Sequence, residues 1–140
     1  MEAEDNRAAF QALFDGVWHD RERSARTIES CFTEDYHFHV SPLTEPVSRS
    51  GFAEMVVRWQ NAFPDGRMNI LDLSGEGDKV WCYWESVGTH SGEYLGIPQT
   101  GRYVRYLGVD IWRFTESGQV AESWAVPDVF SLLRQLGAIP

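Results

Sequence analysis

The chain is poor in lysine: of 12 cationic residues, eleven are arginines and only Lys79 is a lysine. Lys79 lies in Gly77-Asp78-Lys79, which reads as a hairpin turn in water. A Schiff-base lysine needs a dry pocket to lower its pKa, so amine-based carbonyl chemistry is all but excluded. Positive charge is scarce altogether, with 21 acidic residues and a net charge of −9. Such a surface repels nucleic-acid phosphates and anionic lipid, which makes both poor partners. No apolar run approaches the roughly 20 residues of a membrane span. The start, MEAEDNR, is acidic and polar, unlike a secretory signal. The two cysteines, Cys31 and Cys82, have no metal or redox spacing. A reducing cytoplasm is the expected compartment. No repeat, low-complexity stretch or linker interrupts the chain, so residues 1–140 are expected to form one domain.

Aromatic residues are abundant, at 14% of the chain with six tryptophans. A small core needs fewer large rings, so the excess points to rings that line a cavity. The first third reads as helical. Phe10, Leu13, Phe14, Val17 and Trp18 follow the spacing of one helix face. A second helix is expected over Arg21–Phe32 with Ala25, Ile28, Cys31 and Phe32 inward, then a strand over Tyr36–Val40. Pro42 and Pro46 mark a loop, and Ser50 is the expected N-cap of a third helix. Phe52, Met55, Val56, Trp59 and Phe63 form its apolar stripe, and Pro64-Asp65-Gly66 ends it.

The remainder reads as strands over Arg67–Ser74, Lys79–Thr89, Arg102–Phe114 and Gln119–Val126. A glycine-rich loop, Ser91–Gly101, separates the middle two. After Pro127 a terminal helix carries Val129, Phe130, Leu132, Leu133 and Leu136 inward, with Gly137 as its stop. Helices first and an antiparallel meander later describe an α+β fold.

Four stretches resemble one family. Gly88-Thr89-His90-Ser91-Gly92-Glu93-Tyr94-Leu95-Gly96-Ile97-Pro98-Gln99-Thr100-Gly101-Arg102 resembles the GTHxGxxxGIPPTG(K/R) pattern of SnoaL-like polyketide cyclases, with Gln99 at a usual proline. Ala62-Phe63-Pro64-Asp65 resembles its AFPD helix end. Gly108-Val109-Asp110-Ile111-Trp112-Arg113-Phe114 resembles its GxDIxRF strand. Val120-Ala121-Glu122-Ser123-Trp124, then Asp128 and Leu132-Leu133-Arg134-Gln135-Leu136-Gly137, resemble its closing signature.

The resemblance implies an NTF2-like cone: a curved antiparallel sheet with N-terminal helices over its open face. It implies a cofactor-free cyclase of polyketide or other natural-product biosynthesis, a homodimer or homotetramer acting on an apolar, polycyclic or polyketide-like small molecule. The family chemistry is an aldol ring closure with an aspartate as acid/base, and that aspartate falls on Asp128. Its usual partner histidine would lie near Leu107 and Gly108, where no histidine stands. Epoxide-opening cyclisation or hydrolysis, isomerisation, and simple small-molecule binding are the alternatives on the same scaffold.

Each candidate residue has a functional and a structural reading. Asp128 follows a proline and precedes a helix, so it is either a proton-transfer group or an N-cap; the resemblance favours the former. His90 either polarises a substrate oxygen or holds the glycine loop. His37 and His39 share a strand face, but no third ligand follows at a telling spacing, so a metal site is not expected. His39 either reaches the pocket mouth or stays on the surface. Asp110 sits in an apolar strand, on the same face as Tyr106, Gly108 and Trp112, and must find a partner or shift its pKa. It is a second acid/base group or, the preferred reading, the partner of Arg113 or Arg102. Trp59, Phe63, Tyr83, Tyr106 and Trp124 are expected to line the pocket beside Asp110. Tyr83 and Tyr106 would offer phenol hydrogen bonds to an enolate oxygen.

Overall fold

The apolar spacing of the first helix is realised in α1 (Ala3–His19), where Phe10, Phe14 and Val17 are buried along one face. The computed structural model describes residues 3–140. A turn at Asp20–Arg23 leads into α2 (Ser24–Cys31). This helix is shorter than its periodicity predicts: Phe32 already belongs to β1 (Phe32–Val40), and Ser24 is buried where Ala25 was expected. Gln60 reaches across to accommodate Ser24, donating to its hydroxyl at 3.4 Å and to the Val17 and Trp18 carbonyls.

A two-residue strand, β2 (Val47–Ser48), precedes α3 (Arg49–Ala62). Ser48, rather than Ser50, caps α3, accepting the Gly51 N–H at 3.2 Å. Phe52, Val56 and Trp59 of α3 are buried, as their spacing requires. β3 (Arg67–Glu76), β4 (Lys79–Thr89), β5 (Tyr103–Phe114) and β6 (Val120–Pro127) form an antiparallel meander, and α4 (Val129–Gln135) follows. The Gly137 backbone, at φ +77°, closes α4 as expected of a helix stop.

The strand order is β2-β1-β6-β5-β4-β3. β1 lies parallel to β6, so the curved sheet is mixed and not wholly antiparallel. The reason is topological: the chain enters the sheet beside its last strand and must cross through α3 to reach the far edge. One face of the sheet packs against α1 and α3. Along β5 the alternation is regular, with Val104, Tyr106, Gly108, Asp110, Trp112 and Phe114 all on that inner face. Phe10, Phe32 and Trp112 seal one end of the interior, their rings 4.4 to 5.4 Å apart. No helix among the described residues is long and apolar enough to cross a membrane.

Candidate active site

Between the inner sheet face and the helices lies a cavity of about 80 Å³. Its walls are rings and aliphatics: Phe14 and Trp18 from α1, Phe52 and Trp59 from α3, Phe38 from β1, and Trp84 from β4. Its floor holds one ionisable acid, Asp110, only 6% exposed. Directly across the β5–β6 ladder stands Ala125, whose small side chain leaves the carboxylate open to the cavity.

Asp110 has no arginine partner, contrary to the preferred sequence reading. Instead two indoles hold it. Trp84 Nε1 donates to Oδ1 at 2.9 Å, and Trp112 Nε1 donates to Oδ2 at 3.1 Å. Burial raises its pKa to about 6, against the lowering effect of the two hydrogen bonds. Neutral donors relieve only part of the desolvation, which is why the net shift is upward. The Cys82 thiol nearby is pushed up to about 12, by burial first and then by the Asp110 charge. The Tyr36 phenol rises for the same leading reason. Both therefore stay neutral, and Asp110 is the group in this neighbourhood that exchanges a proton near neutral pH.

Gly108 makes the indole clamp possible. A Cβ built there would meet the Trp84 ring at 2.1 Å. The bare backbone lets the indole lie against β5, two residues from Asp110, and deliver its N–H to the carboxylate.

Tyr94 and Tyr106 also line the cavity. Burial raises both phenols, so they remain O–H donors. Ser86, Tyr94 and Trp59 stand beside Tyr106 and offset part of the effect of burial. Trp59 Nε1 also donates to Ser86 Oγ at 3.1 Å. A second pocket of about 360 Å³ lies beside it and shares Val40, Met55, Tyr94, Tyr106 and Pro127 as lining.

The other sequence candidates lie elsewhere. Asp128 is exposed and caps α4, its carboxylate accepting the Ser131 N–H at 3.0 Å. His90 is fully buried outside the cavity wall, and its Nδ1 is bound by the Thr100 hydroxyl at 3.0 Å and the Thr100 N–H at 3.2 Å. Burial lowers its pKa, so it pins the glycine loop as a neutral ring. His39 faces away from the cavity, stacked on Trp124 at 5.5 Å and bonded through Nε2 to Glu122 at 2.8 Å. Phe63 is buried against His90 and Tyr94 without lining the cavity. Tyr83 is exposed on the outer face, because it neighbours the inward Trp84 and alternation forbids both. Of the predicted residues, Trp59, Tyr106 and Asp110 converge on the cavity.

Sequence reasoning missed Tyr94, Met55 and Met68 as lining residues. Met55 and Met68 had a signal in their strand and helix phase. Tyr94 had none: it sits in an irregular loop whose path only the folded chain reveals. No cluster of three or more His, Cys, Asp or Glu side chains forms among the described residues.

Known proteins share this architecture. TsrD from Streptomyces laurentii is 29% identical, covering 95% of this chain and 98% of its own, with a TM-score of 0.79. AclR from Streptomyces galilaeus is 27% identical, covering 96% and 99%, also with a TM-score of 0.79. A protein assigned to the SnoaL-like polyketide cyclases from Jannaschia sp. CCS1 is 20% identical over 99% and 95%, and its TM-score of 0.88 shows the shared fold. No curated protein matches the chain. The family of SnoaL-like polyketide cyclases matches residues 8–136, nearly the whole fold from α1 to α4, and the chain belongs to it.

Proposed function

We propose that this chain closes a ring on an apolar, carbonyl-bearing substrate of the polyketide type, with Asp110 as its acid/base group. The observation that carries this reading is the position of Asp110, the acid on the floor of an aromatic cavity with a pKa near 6. A base titrating close to the working pH combines the ionised state with a useful proton affinity.

The ionised carboxylate takes a proton from a carbon next to a carbonyl. The C–H electron pair becomes the enolate, whose carbon attacks a second carbonyl of the same molecule and forms the new C–C bond. The resulting alkoxide takes the proton back from Asp110, so nothing is consumed. The two indole N–H groups keep the carboxylate aimed throughout. The phenols of Tyr94 and Tyr106 are the donors that the cavity wall offers to substrate carbonyl oxygens. Holding both reacting carbons in one narrow space contributes several kcal/mol on the scale of well-oriented intramolecular reactions.

A homodimer or homotetramer belongs to the same reading. Trp81 and Tyr83 stand 48% and 42% exposed on the outer face of β4, a surface that a second copy would cover. Sedimentation velocity decides it.

The chemical test is α-proton exchange in heavy water with a polycyclic β-keto ester, followed by mass spectrometry. The wild-type chain speeds deuterium uptake. Asp110→Asn lowers it by about a thousandfold, within the usual range for a general base, while far-ultraviolet dichroism stays native. An Asp110→Asn chain exchanging at the wild-type rate would falsify the assignment.

A further inference from the structure

Three indoles line the cavity: Trp18, Trp59 and Trp84. Two of them have committed their N–H groups. Trp59 Nε1 donates to Ser86 Oγ at 3.1 Å, and Trp84 Nε1 donates to Asp110 Oδ1 at 2.9 Å. Trp18 Nε1 is buried and has no partner among the described residues. A buried indole N–H ordinarily finds an acceptor, because taking it out of water without one costs free energy. Trp18 is only half-buried as a residue. Part of its ring reaches solvent, where water is available as an acceptor, yet the N–H edge is the part that is covered.

Five other buried side chains among the described residues carry an unpartnered atom: Asn6, Thr33, Tyr36, His90 and Ser123. None of them lines the cavity. An orphaned donor and the hollow coincide at Trp18 alone. The ring is also fixed in place. Phe14 lies one helical turn earlier at 6.3 Å, and Phe52 and Trp59 of α3 stand nearly perpendicular to it at 6.1 and 5.4 Å. These contacts set the orientation of the indole without using its N–H. A donor held ready in this way stabilises charge as it develops, with no reorganisation at the moment of reaction.

An acceptor missing beside a cavity is one that a ligand supplies. When Asp110 removes an α-proton, the electron pair of the C–H bond comes to rest on the carbonyl oxygen. That C–H bond stands perpendicular to the carbonyl plane, whereas the oxygen lone pairs lie in the plane. Base and donor must therefore approach from different walls. Asp110 belongs to β5 in the sheet, and Trp18 to α1 among the helices that cover it.

We propose that the Trp18 N–H donates a hydrogen bond to the enolate oxygen while Asp110 takes the α-proton. This rests on the acid/base reading of Asp110 and adds a catalytic residue on α1. The indole keeps its own proton: only the C–H bond breaks, its electrons pass to oxygen, and its proton goes to the carboxylate. Tyr94 and Tyr106 then serve the second carbonyl, the one that becomes the alkoxide.

The experiment has two arms. In the first, isotope-labelled wild-type protein is titrated to saturation with acetylacetone labelled at its carbonyl carbons, and both are followed by magnetic resonance. Trp18→Phe assigns the Trp18 N–H signal by its disappearance. Acetylacetone moves that signal downfield, and the bound carbonyl carbon moves with it; Trp18→Phe removes the carbonyl shift. The Trp18 signal moves equally in Asp110→Asn, since the donor acts without the acid, so this arm stands apart from any failure of the Asp110 assignment. In the second arm, Trp18→Phe lowers kcat for α-proton exchange by about a hundredfold, the scale of one oxyanion donor. KM stays nearly level, and the limb near pH 6 stays in place. A ring needed only for packing would instead raise KM or lower the melting temperature and leave kcat alone. The proposal is overturned if the Trp18 signal ignores acetylacetone, as it would with its N–H resting on the Trp59 ring, or if a folded Trp18→Phe chain keeps the wild-type kcat.

Discussion

Asp110 and Glu122 stand on neighbouring strands, β5 and β6, yet they face opposite sides of the sheet. On the inner side, Asp110 meets two neutral indoles and no cation, and burial lifts its pKa to about 6. On the outer side, partial burial also works against the charge of Glu122. There His39 at 2.8 Å and Arg113 at 3.2 Å outweigh it and hold the carboxyl below its usual range. Glu85 on β4 repeats the outer pattern, lowered by hydrogen bonds from Asn69 and Arg105. The same functional group becomes a proton carrier on one face and a fixed anion on the other. The difference lies in the partners: rings inside, arginines outside.

The pH dependence of stability sharpens this contrast most. The folded-state pKa of Asp110 lies above its ordinary 3.8, so the folded chain holds that proton more tightly than the unfolded one. The associated stability is present below about pH 4 and is lost as pH rises through about 6. The shift corresponds to about 3 kcal/mol. Wild type should therefore lose about that much stability relative to Asp110→Asn between pH 4 and pH 7, measured by urea unfolding at each pH. Other carboxylates cancel in the difference. The rising limb of kcat/KM should fall near pH 6 for the same reason.

Gly108→Ala attacks the inner side directly. Its new Cβ would displace the Trp84 ring, at a cost of about 2 kcal/mol on the scale of core overpacking. Losing the Trp84 N–H should move the Asp110 titration further upward, visible in its carboxyl carbon resonance. A downward move would show that the clamp is misread.

Asp128→Ala separates the two aspartates. Loss of an N-cap costs about 1 kcal/mol in thermal or urea unfolding, and α-proton exchange should continue at the wild-type rate. If exchange vanished in a folded Asp128→Ala chain, the exposed aspartate and not the buried one would carry the chemistry. Glu122→Gln should produce the smallest effect, below about 1 kcal/mol as for other partly exposed ion pairs, again with exchange retained.

The alternation of β5 was legible in the sequence, and it correctly grouped Tyr106, Gly108, Asp110 and Trp112 on one face. The same rule, applied to β4, would have removed Tyr83 once Trp84 was placed inward. The stripe of α3 was legible for a similar reason, since its period is set by the helix itself. The partners of Asp110 were not legible. Arg113 is three residues away in sequence but on the outer face, while Trp84 is 26 residues away and in contact. His90 and Asp128 drew attention through motif position. Their surroundings, a loop backbone and open water, depend on chain segments that no local pattern describes.

By itself the sequence determined most of the helical and extended segments, the inward faces of α3 and β5, and through four stretches met in order the family. Those features follow from local geometry and repeat every few residues. Only the tertiary structure decided which acid would be dried out and which rings would hold it. Burial is a property of distant segments brought together, and the cost of removing a charge from water is set by all of them at once.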